Sequence, residues 1–207
     1  MKFTRILALV LVSALLGSHQ LIQGVADLFK GRFTLNTLLT LTFAACFVDG
    51  IFCLMELRIP CCAAFSLNMT MSLWSAYQKR TTEMAQMDPL RKATRLDGIV
   101  AVPDVYEGRQ GFLRNEGQVE DFMDTYRAPS KAEKTLSVYA LVALFVSLGT
   151  GIMAGVLYGA HFGIAAFSAS LLVAVPASSY IALSRPHALL ERRLHKHGTV
   201  LCGWQGI

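Results

Sequence analysis

The stretch Leu171–Pro186, LLVAVPASSYIALSRP, decides the fold, because it places a proline inside a long apolar run. Proline removes one backbone N–H from a helix and collides with the carbonyl one turn earlier. In lipid, each freed carbonyl needs another hydrogen-bond partner. Pro176 therefore predicts an interrupted membrane helix, and such a break at membrane depth can offer backbone oxygens to an ion. A plain proline kink is the alternative, since proline is fairly frequent in membrane helices.

The composition of the whole chain also indicates a membrane protein. Its 207 residues are 54% hydrophobic and only 16% charged, whereas soluble domains carry about 25% charged residues. The net charge of +5 comes from basic residues beside apolar segments, so membrane topology explains it and we expect no nucleic-acid partner. The five cysteines have neither zinc-finger spacing nor the pattern of a disulfide framework.

Five apolar segments approach the roughly 20 residues that are needed to cross a bilayer. The fold class we predict is therefore all-α: a polytopic membrane protein with about five transmembrane helices and a small cytoplasmic insertion. The five segments are 6–29, 33–57, 61–77, 135–158 and 162–183. The first begins like a signal peptide, but apolar residues continue to Phe29 without a clear cleavage site. We expect it to be a retained helix.

The segments divide the chain into four parts: transmembrane helices one to three (1–77), the insertion (78–134), helices four and five (135–184) and a basic cytoplasmic tail (185–207). Lys30, Arg32, the insertion and the tail can all lie on one side of the membrane. That side then holds 16 of the 19 Lys and Arg residues. Because positive residues favour the cytoplasm, we expect an integral protein of a bacterial plasma membrane with the N-terminus outside and the C-terminus inside.

The insertion reads as a helical extension of the third segment that ends near Asp88–Pro89. A glycine-punctuated stretch follows, with room for one short strand. Ser130 is the expected N-cap of the fourth helix, and Glu133 comes three residues later as its capping-box partner.

The second segment carries a candidate cation site. Cys46, Asp49, Cys53 and Glu56 follow spacings of 3, 4 and 3, which places all four within roughly a quarter of a helix surface. Thiolates and carboxylates can ligate a soft or borderline cation. The alternative is that the acids lie near the outer headgroups and the cysteines are small packing residues. If a metal binds, we expect it between the turn before Pro176 and the Cys46/Asp49/Cys53 face, so these four residues are the predicted metal ligands.

Two further patterns predict helix packing. A polar stripe on the third segment is suited to interhelical hydrogen bonds; it consists of Asn68, Met71, Ser72 and Ser75. On the fourth segment Gly151, Gly155 and Gly159 recur every four residues, which is typical of a close-packing face.

The order of these pieces resembles the transmembrane region of the P-type cation-transporting ATPases, most closely the heavy-metal group. The likeness begins at GRFTLNTLL (31–39), which resembles the start of the first core helix of that family. It continues through an insertion that ends in YRAPSKAEKTLSVYALV (126–142) and a proline-containing core helix. It closes with a basic helix and a Lys-x-Gly-like turn at Lys196–Gly198. The resemblance implies an ion-translocating module and an insertion that is a short remnant of the actuator domain.

The departures from the family pattern limit what the resemblance implies. Val175 and Ala177 stand where the CPC-type motif has its cysteines, so only Pro176 is kept. The TGE loop, the DKTGT phosphorylation motif and a nucleotide-binding sequence are absent from these 207 residues. Phosphoryl transfer needs a positioned nucleophile and a metal–phosphate clamp, so we expect no ATP hydrolysis by this chain alone.

Two classes of function follow from these observations. The first is the ion-translocating part of a degenerate or truncated P-type ATPase, which would act with a separate or missing catalytic portion. The second is a non-catalytic polytopic protein that assembles or regulates other membrane components. Both have the lipid bilayer as a partner, and for the first the only ligand we expect is a transported metal cation of unknown identity.

Overall fold

The computed structural model describes residues 2–56, 62–92, 97–106, 109–116, 124, 126, 128–175 and 177–201. The backbone alone is described for residues 2–5, 56, 97, 99–106, 109–116, 177 and 183. The described part of the chain is mostly helical, as the sequence predicts, with one added β-hairpin.

Two helices, α1 (Lys2–Leu16) and α2 (Ser18–Phe29), occupy the first predicted segment and meet at an angle of 72°. The segment is therefore helical but bent, and its retention in the protein stays a prediction. Gly17 lies at the bend, and a Cβ there would overlap the Met69 sulfur. The bend thus brings backbone against a neighbouring side chain, which only glycine allows.

The next helices are α3 (Leu35–Glu56) and α4 (Ala63–Lys92). Gly24 of α2 packs on α3, since a Cβ there would overlap the Asn36 carbonyl oxygen. Two threonine hydroxyls within α3 donate to backbone carbonyls one turn earlier. Thr40 Oγ1 donates to Asn36 O, and Thr42 Oγ1 donates to Leu38 O at 2.7 Å. α4 continues through Pro89 rather than ending there. Pro89 leaves the Ala85 carbonyl without its helical donor, and α4 ends three residues later, at Lys92.

The insertion contains two antiparallel strands, β1 (Asp97–Tyr106) and β2 (Arg109–Glu116), where the sequence predicted at most one. Residues pair from Asp97↔Glu116 to Val102↔Gly111, and the register is irregular between Val102 and Tyr106. Pro103 lies in this irregular stretch, as expected for a residue that cannot donate to a ladder.

The remaining helices are α5 (Lys131–Tyr158), α6 (Ala160–Ala174) and α7 (Ala177–His195). α5 begins directly after Ser130, where the sequence predicts its start. Gly159 joins α5 to α6 with a φ of +104°, a conformation that favours glycine. Gly198, at φ +70°, follows the end of α7, and His197 N and Thr199 N both donate to Leu194 O there.

The chain divides into two compact units. Unit 1 contains residues 1–78 and 131–186, and unit 2 contains residues 79–130 and 187–207. The buried apolar core lies within unit 1, where the rings of Phe43 and Phe65 have centroids 5.4 Å apart. Its members are Val10, Ala14, Leu35, Leu38, Leu39, Ala45, Cys46, Cys62, Phe65, Met69, Ala140, Ala143, Leu171, Leu172, Val175 and Tyr180.

Among the described residues, three helical stretches are long and apolar enough to cross a membrane, or four if the bent pair α1–α2 counts as one. They are Leu35–Met55, Lys131–Tyr158 and the interrupted pair within Ala160–His195. α4, which covers the third predicted segment, is not among them. Its buried polar side chains, Asn68 and Ser72 among them, lower its apolar character. The predicted number of five spans is therefore not confirmed.

Candidate functional site

The last apolar helix is interrupted where the sequence predicts. α6 ends at Ala174, Val175 leaves helical geometry with φ −104° and ψ 75°, and α7 begins at Ala177. Val175 is fully buried in the core of unit 1. Pro176 itself lies outside the described residues, so its predicted part in a metal site stays a prediction.

Side chains from two other helices hydrogen-bond the carbonyls that the break releases. Leu172 stands four residues before Pro176, and its oxygen is the one that a proline at 176 deprives of its helical donor. Asn68 Nδ2 of α4 donates to Leu172 O at 3.2 Å. Tyr139 Oη of α5 donates to Ala174 O at 2.9 Å. These two hydrogen bonds connect the break to α4 and α5.

The predicted residues of α3 share one buried face. Cys46, Asp49 and Cys53 are each at most 2% exposed, and Thr42 continues the face one turn earlier. None of the three cysteines for which the structure describes side chains, Cys46, Cys53 and Cys62, forms a disulfide. The side chain of Glu56 lies outside the described part. Burial of an acidic side chain in an apolar helix is costly. Asp49 is the acidic residue among the described side chains of this face.

The start of α3, rather than its Asp49 end, lies beside the break. Tyr180 Oη of α7 donates to Leu35 O at 3.3 Å. Asp49 follows Leu35 by 14 residues, about 21 Å along a helix axis at 1.5 Å per residue. Within the residues that the structure describes, no group of three or more His, Cys, Asp or Glu side chains could hold a metal ion. The four-residue metal site therefore stays a prediction.

The polar stripe of α4 joins neighbouring helices, which confirms the predicted interhelical role. Besides the Asn68 contact, Ser72 Oγ donates to Gln20 Oε1 of α2. Ser75 Oγ donates to Tyr180 O of α7 at 2.8 Å. The sequence identified these donors from their spacing, but their acceptors lie up to 105 residues away and carried no local signal.

The glycine face of α5 packs tightly on α6, although with a different set of residues from the predicted one. A Cβ on Gly163 of α6 would lie 2.8 Å from Gly151 O and 2.9 Å from Gly155 Cα. Gly159 does not belong to this face, because it forms the turn between the two helices. Gly163 continues the four-residue repeat of Gly151, Gly155 and Gly159 in the sequence. The repeat does not show that the chain turns at Gly159 and brings Gly163 back against Gly151 and Gly155.

Unit 2 contains a buried polar cluster that sequence reasoning missed. Gln86 Nε2 lies 3.1 Å from His187 Nε2, and Tyr126 Oη donates to Gln86 Oε1 at 3.1 Å. Because the Gln86 oxygen accepts from Tyr126, its amide nitrogen faces His187, whose Nε2 must then accept. The cluster thus places the proton of a neutral His187 ring on Nδ1. The sequence offered one signal for this cluster, namely polar residues four positions apart on a helix face. These are Thr82 with Gln86 and His187 with Glu191, and all four are buried.

Glu191 lies one turn after His187 on α7 and is also buried. It is 3% exposed, and its Oε2 accepts a hydrogen bond from Leu201 N at 3.3 Å, which holds the segment after α7. Among the described atoms, Glu191 Oε1 is buried and has no hydrogen-bond partner. At the exposed end of α4, by contrast, Lys92 Nζ donates to Asp88 Oδ2 at 2.8 Å, and this hydrogen bond lowers the pKa of the Asp88 carboxyl.

No family model, no curated protein and no solved structure matches this chain.

Proposed function

We propose that this chain is a membrane-embedded module that resembles the ion-translocating part of a P-type cation-transporting ATPase. It would act with a phosphorylation and nucleotide-binding portion that these 207 residues do not contain. The observation that carries the proposal is the interruption of the last apolar helix pair at Val175, because an irregular backbone inside an apolar helix is a common element of ion pathways.

The order of the elements supports the same proposal. α3 follows a basic turn, a strand-containing insertion separates α4 from α5, and the interrupted pair α6–α7 comes last. α7 is basic in its last turn and ends in a turn that contains the Lys196–Gly198 sequence. These are the features, in the same order, on which the resemblance rests.

Placement in a bilayer accounts for the apolar surface of α5. Val138, Phe145, Ile152 and Val156 are each at least 60% exposed along this helix. Soluble monomers rarely expose contiguous apolar patches of this kind, whereas lipid tails solvate them. We accordingly propose that α3, α5 and the pair α6–α7 cross a membrane, and that a bacterial plasma membrane is the host.

Asp49 is the proposed source of negative charge for a transported cation. Its carboxylate is buried in α3, and ionisable residues inside membrane helices usually mark ion or proton pathways. Because Val175 and Ala177 replace the thiols of the family motif, soft-metal affinity should come from Cys46 and Cys53 alone.

Cation binding to the detergent-purified protein tests this proposal. Calorimetry with Cu⁺, Zn²⁺ and K⁺ should give a measurable affinity for one of them that Asp49→Asn abolishes. Asp27→Asn is the matched control, since Asp27 lies in α2 and accepts from Thr34 Oγ1. Cys46→Ser with Cys53→Ser should shift selectivity away from Cu⁺, while Cys62→Ser should not. Equal affinity in wild type and Asp49→Asn, or none in either, would contradict the proposal.

One observation favours the second candidate, a non-catalytic polytopic protein that assembles or regulates other membrane components. The carbonyls beside the break already accept hydrogen bonds from Asn68 and Tyr139. A break that is fastened in this way can serve helix packing alone. Absence of cation binding in the wild type, together with a folded and monodisperse protein in detergent, supports this candidate.

A further inference from the structure

One face of α7 carries a stripe of exposed cations. Arg192 and Arg193 are exposed on the helix, and Lys196 is exposed in the turn that follows. At about 100° per residue these three positions and the exposed Leu189 fall within roughly 100° of the helix circumference. The stripe from Leu189 to Lys196 is about 10 Å long at 1.5 Å per residue.

No exposed acid accompanies this stripe in the described part of α7 and the residues that follow it. Glu191 is the single acidic residue between 177 and 201, and it is buried, as are Ser184 and His187 on the same side of the helix. α4 differs in this respect, because its exposed cations alternate with Glu83 and Asp88. The stripe of α7 therefore presents positive charge without internal compensation.

The stripe also continues directly from an apolar segment. α7 begins three residues after the end of α6, and both fall within one candidate span, Ala160–His195. Leu189 and Leu190 are exposed beside the cations, at 50% and 37%. A helix surface that combines Arg and Lys with exposed leucines is suited to the boundary between headgroups and acyl chains, where arginine stems can lie along apolar surface.

The geometry points to a binding surface for anionic phospholipid headgroups, formed by Arg192, Arg193 and Lys196. The ligand chemistry is a lipid phosphate diester, met by guanidinium groups that can bind phosphate oxygens in a bidentate manner. The exposed leucines decide between a lipid surface and a nucleic acid, because they have apolar partners only in the bilayer. This inference rests on the membrane placement given under Proposed function.

Lipid exchange on the purified full-length protein tests the inference. The protein is placed in nanodiscs that contain phosphatidylcholine with increasing fractions of phosphatidylglycerol, and bound lipids are counted by native mass spectrometry. Phosphatidylglycerol should be retained about tenfold over phosphatidylcholine, since each basic residue near an anionic surface adds to the attraction. The variant Arg192→Gln/Arg193→Gln/Lys196→Gln should bring this ratio to about one. The control Arg80→Gln/Arg91→Gln/Lys131→Gln, which removes three exposed cations elsewhere, should leave it unchanged.

Each other outcome has a defined meaning. An unchanged ratio in the α7 variant, or no preference in the wild type, overturns the inference. Loss of the preference when millimolar inorganic phosphate is added also overturns it, because the site would then recognise phosphate without the lipid. A short RNA that binds the same face and is not displaced by phosphatidylglycerol vesicles would identify a nucleic-acid site instead. Extraction of the protein from cell membranes by alkaline carbonate contradicts the membrane placement, whereas retention there without a lipid preference contradicts this inference alone.

Discussion

At the scale of single residues, side-chain hydrogen bonds supply partners for backbone carbonyls at the interruption of the last apolar helix. The interruption at Val175 leaves two carbonyls without helical donors, and Asn68 and Tyr139 supply the replacements. An unpartnered buried carbonyl costs about 1–3 kcal/mol. This cost applies to Leu172, which is buried, whereas the bond from Tyr139 is exposed.

Replacing Asn68 by leucine should therefore lower stability, because Leu172 O loses its donor while the side chain keeps its branching and its number of non-hydrogen atoms. We expect a loss of about 0.6–2 kcal/mol, the range of interhelical hydrogen bonds in membrane proteins and of buried unpaired groups. Thermal unfolding in detergent measures it. Thr70→Val is the control, since the Thr70 hydroxyl bonds only within its own helix. Equal melting temperatures for the two variants would exclude a fastening role for Asn68.

In unit 2, Gln86 joins Tyr126 and His187 and is fully buried. Gln86→Leu should destabilise unit 2 by about 1–3 kcal/mol, because it removes a hydrogen-bond partner from the buried His187 and from the part-buried Tyr126. Pulse proteolysis followed by mass spectrometry locates the cleavage, which should rise between residues 93 and 130. The control Ala85→Leu adds the same side chain at the exposed position just before it and should leave the cleavage rate unchanged. A similar increase in both variants would argue against the cluster.

At the scale of elements, close backbone approach organises the packing of α5 against α6. Gly163 is the tightest point, since a Cβ there would meet backbone atoms of α5 at less than 3 Å. Gly155 is less constrained, because a Cβ there would meet Gly163 Cα at 3.6 Å, an ordinary contact.

Gly163→Ala should consequently destabilise the α5–α6 pair by about 1–3 kcal/mol through overpacking. Gly149→Ala is the matched control on α5, where a Cβ meets nothing within 4 Å, and it should be neutral or stabilise by up to about 1 kcal/mol through helix propensity. Gly155→Ala should fall between the two. A thermal assay in detergent that ranks Gly149→Ala below Gly163→Ala would contradict the close approach at Gly163.

Element boundaries show what the sequence could and could not predict. The break at 175–176 and the start of α5 follow from local chemistry, namely a proline and a serine at known positions of helix ends. The bend at Gly17 does not, because it depends on Met69 of another helix. For the same reason the stripe of Asn68, Ser72 and Ser75 was visible in the sequence while its acceptors were not.

At the scale of the whole molecule, the predicted topology is still to be measured. In a background in which all cysteines are replaced by serine, Ala160→Cys at the turn after α5 should react with a membrane-impermeant maleimide in intact cells. His197→Cys should react only after the membrane is opened, because the cation-rich tail should be cytoplasmic. Both positions are exposed. Labelling of His197→Cys in intact cells would reverse the orientation.

The sequence predicted the helical class, since it follows from apolar length and charge, while the division of the chain into four parts stays a prediction. It did not predict the number of apolar helices, because α4 buries polar side chains that lower its apolar character. It proposed a metal site from the spacing within α3 and from Pro176, but spacing along one helix carries no information about its distance from another. The Tyr180–Leu35 contact supplies that information.

The bond from Asn68 to Leu172 joins residues 104 positions apart, and this separation has a consequence for biosynthesis. α4 leaves the ribosome long before α6, so its amide must wait for an acceptor that has not yet been translated. With the membrane placement proposed above, the Leu172 carbonyl of α6 has no donor until α6 packs against α4. We expect the last helix pair to stay beside the insertion machinery until α6 packs against α4. Release from that machinery would then follow the last step of folding.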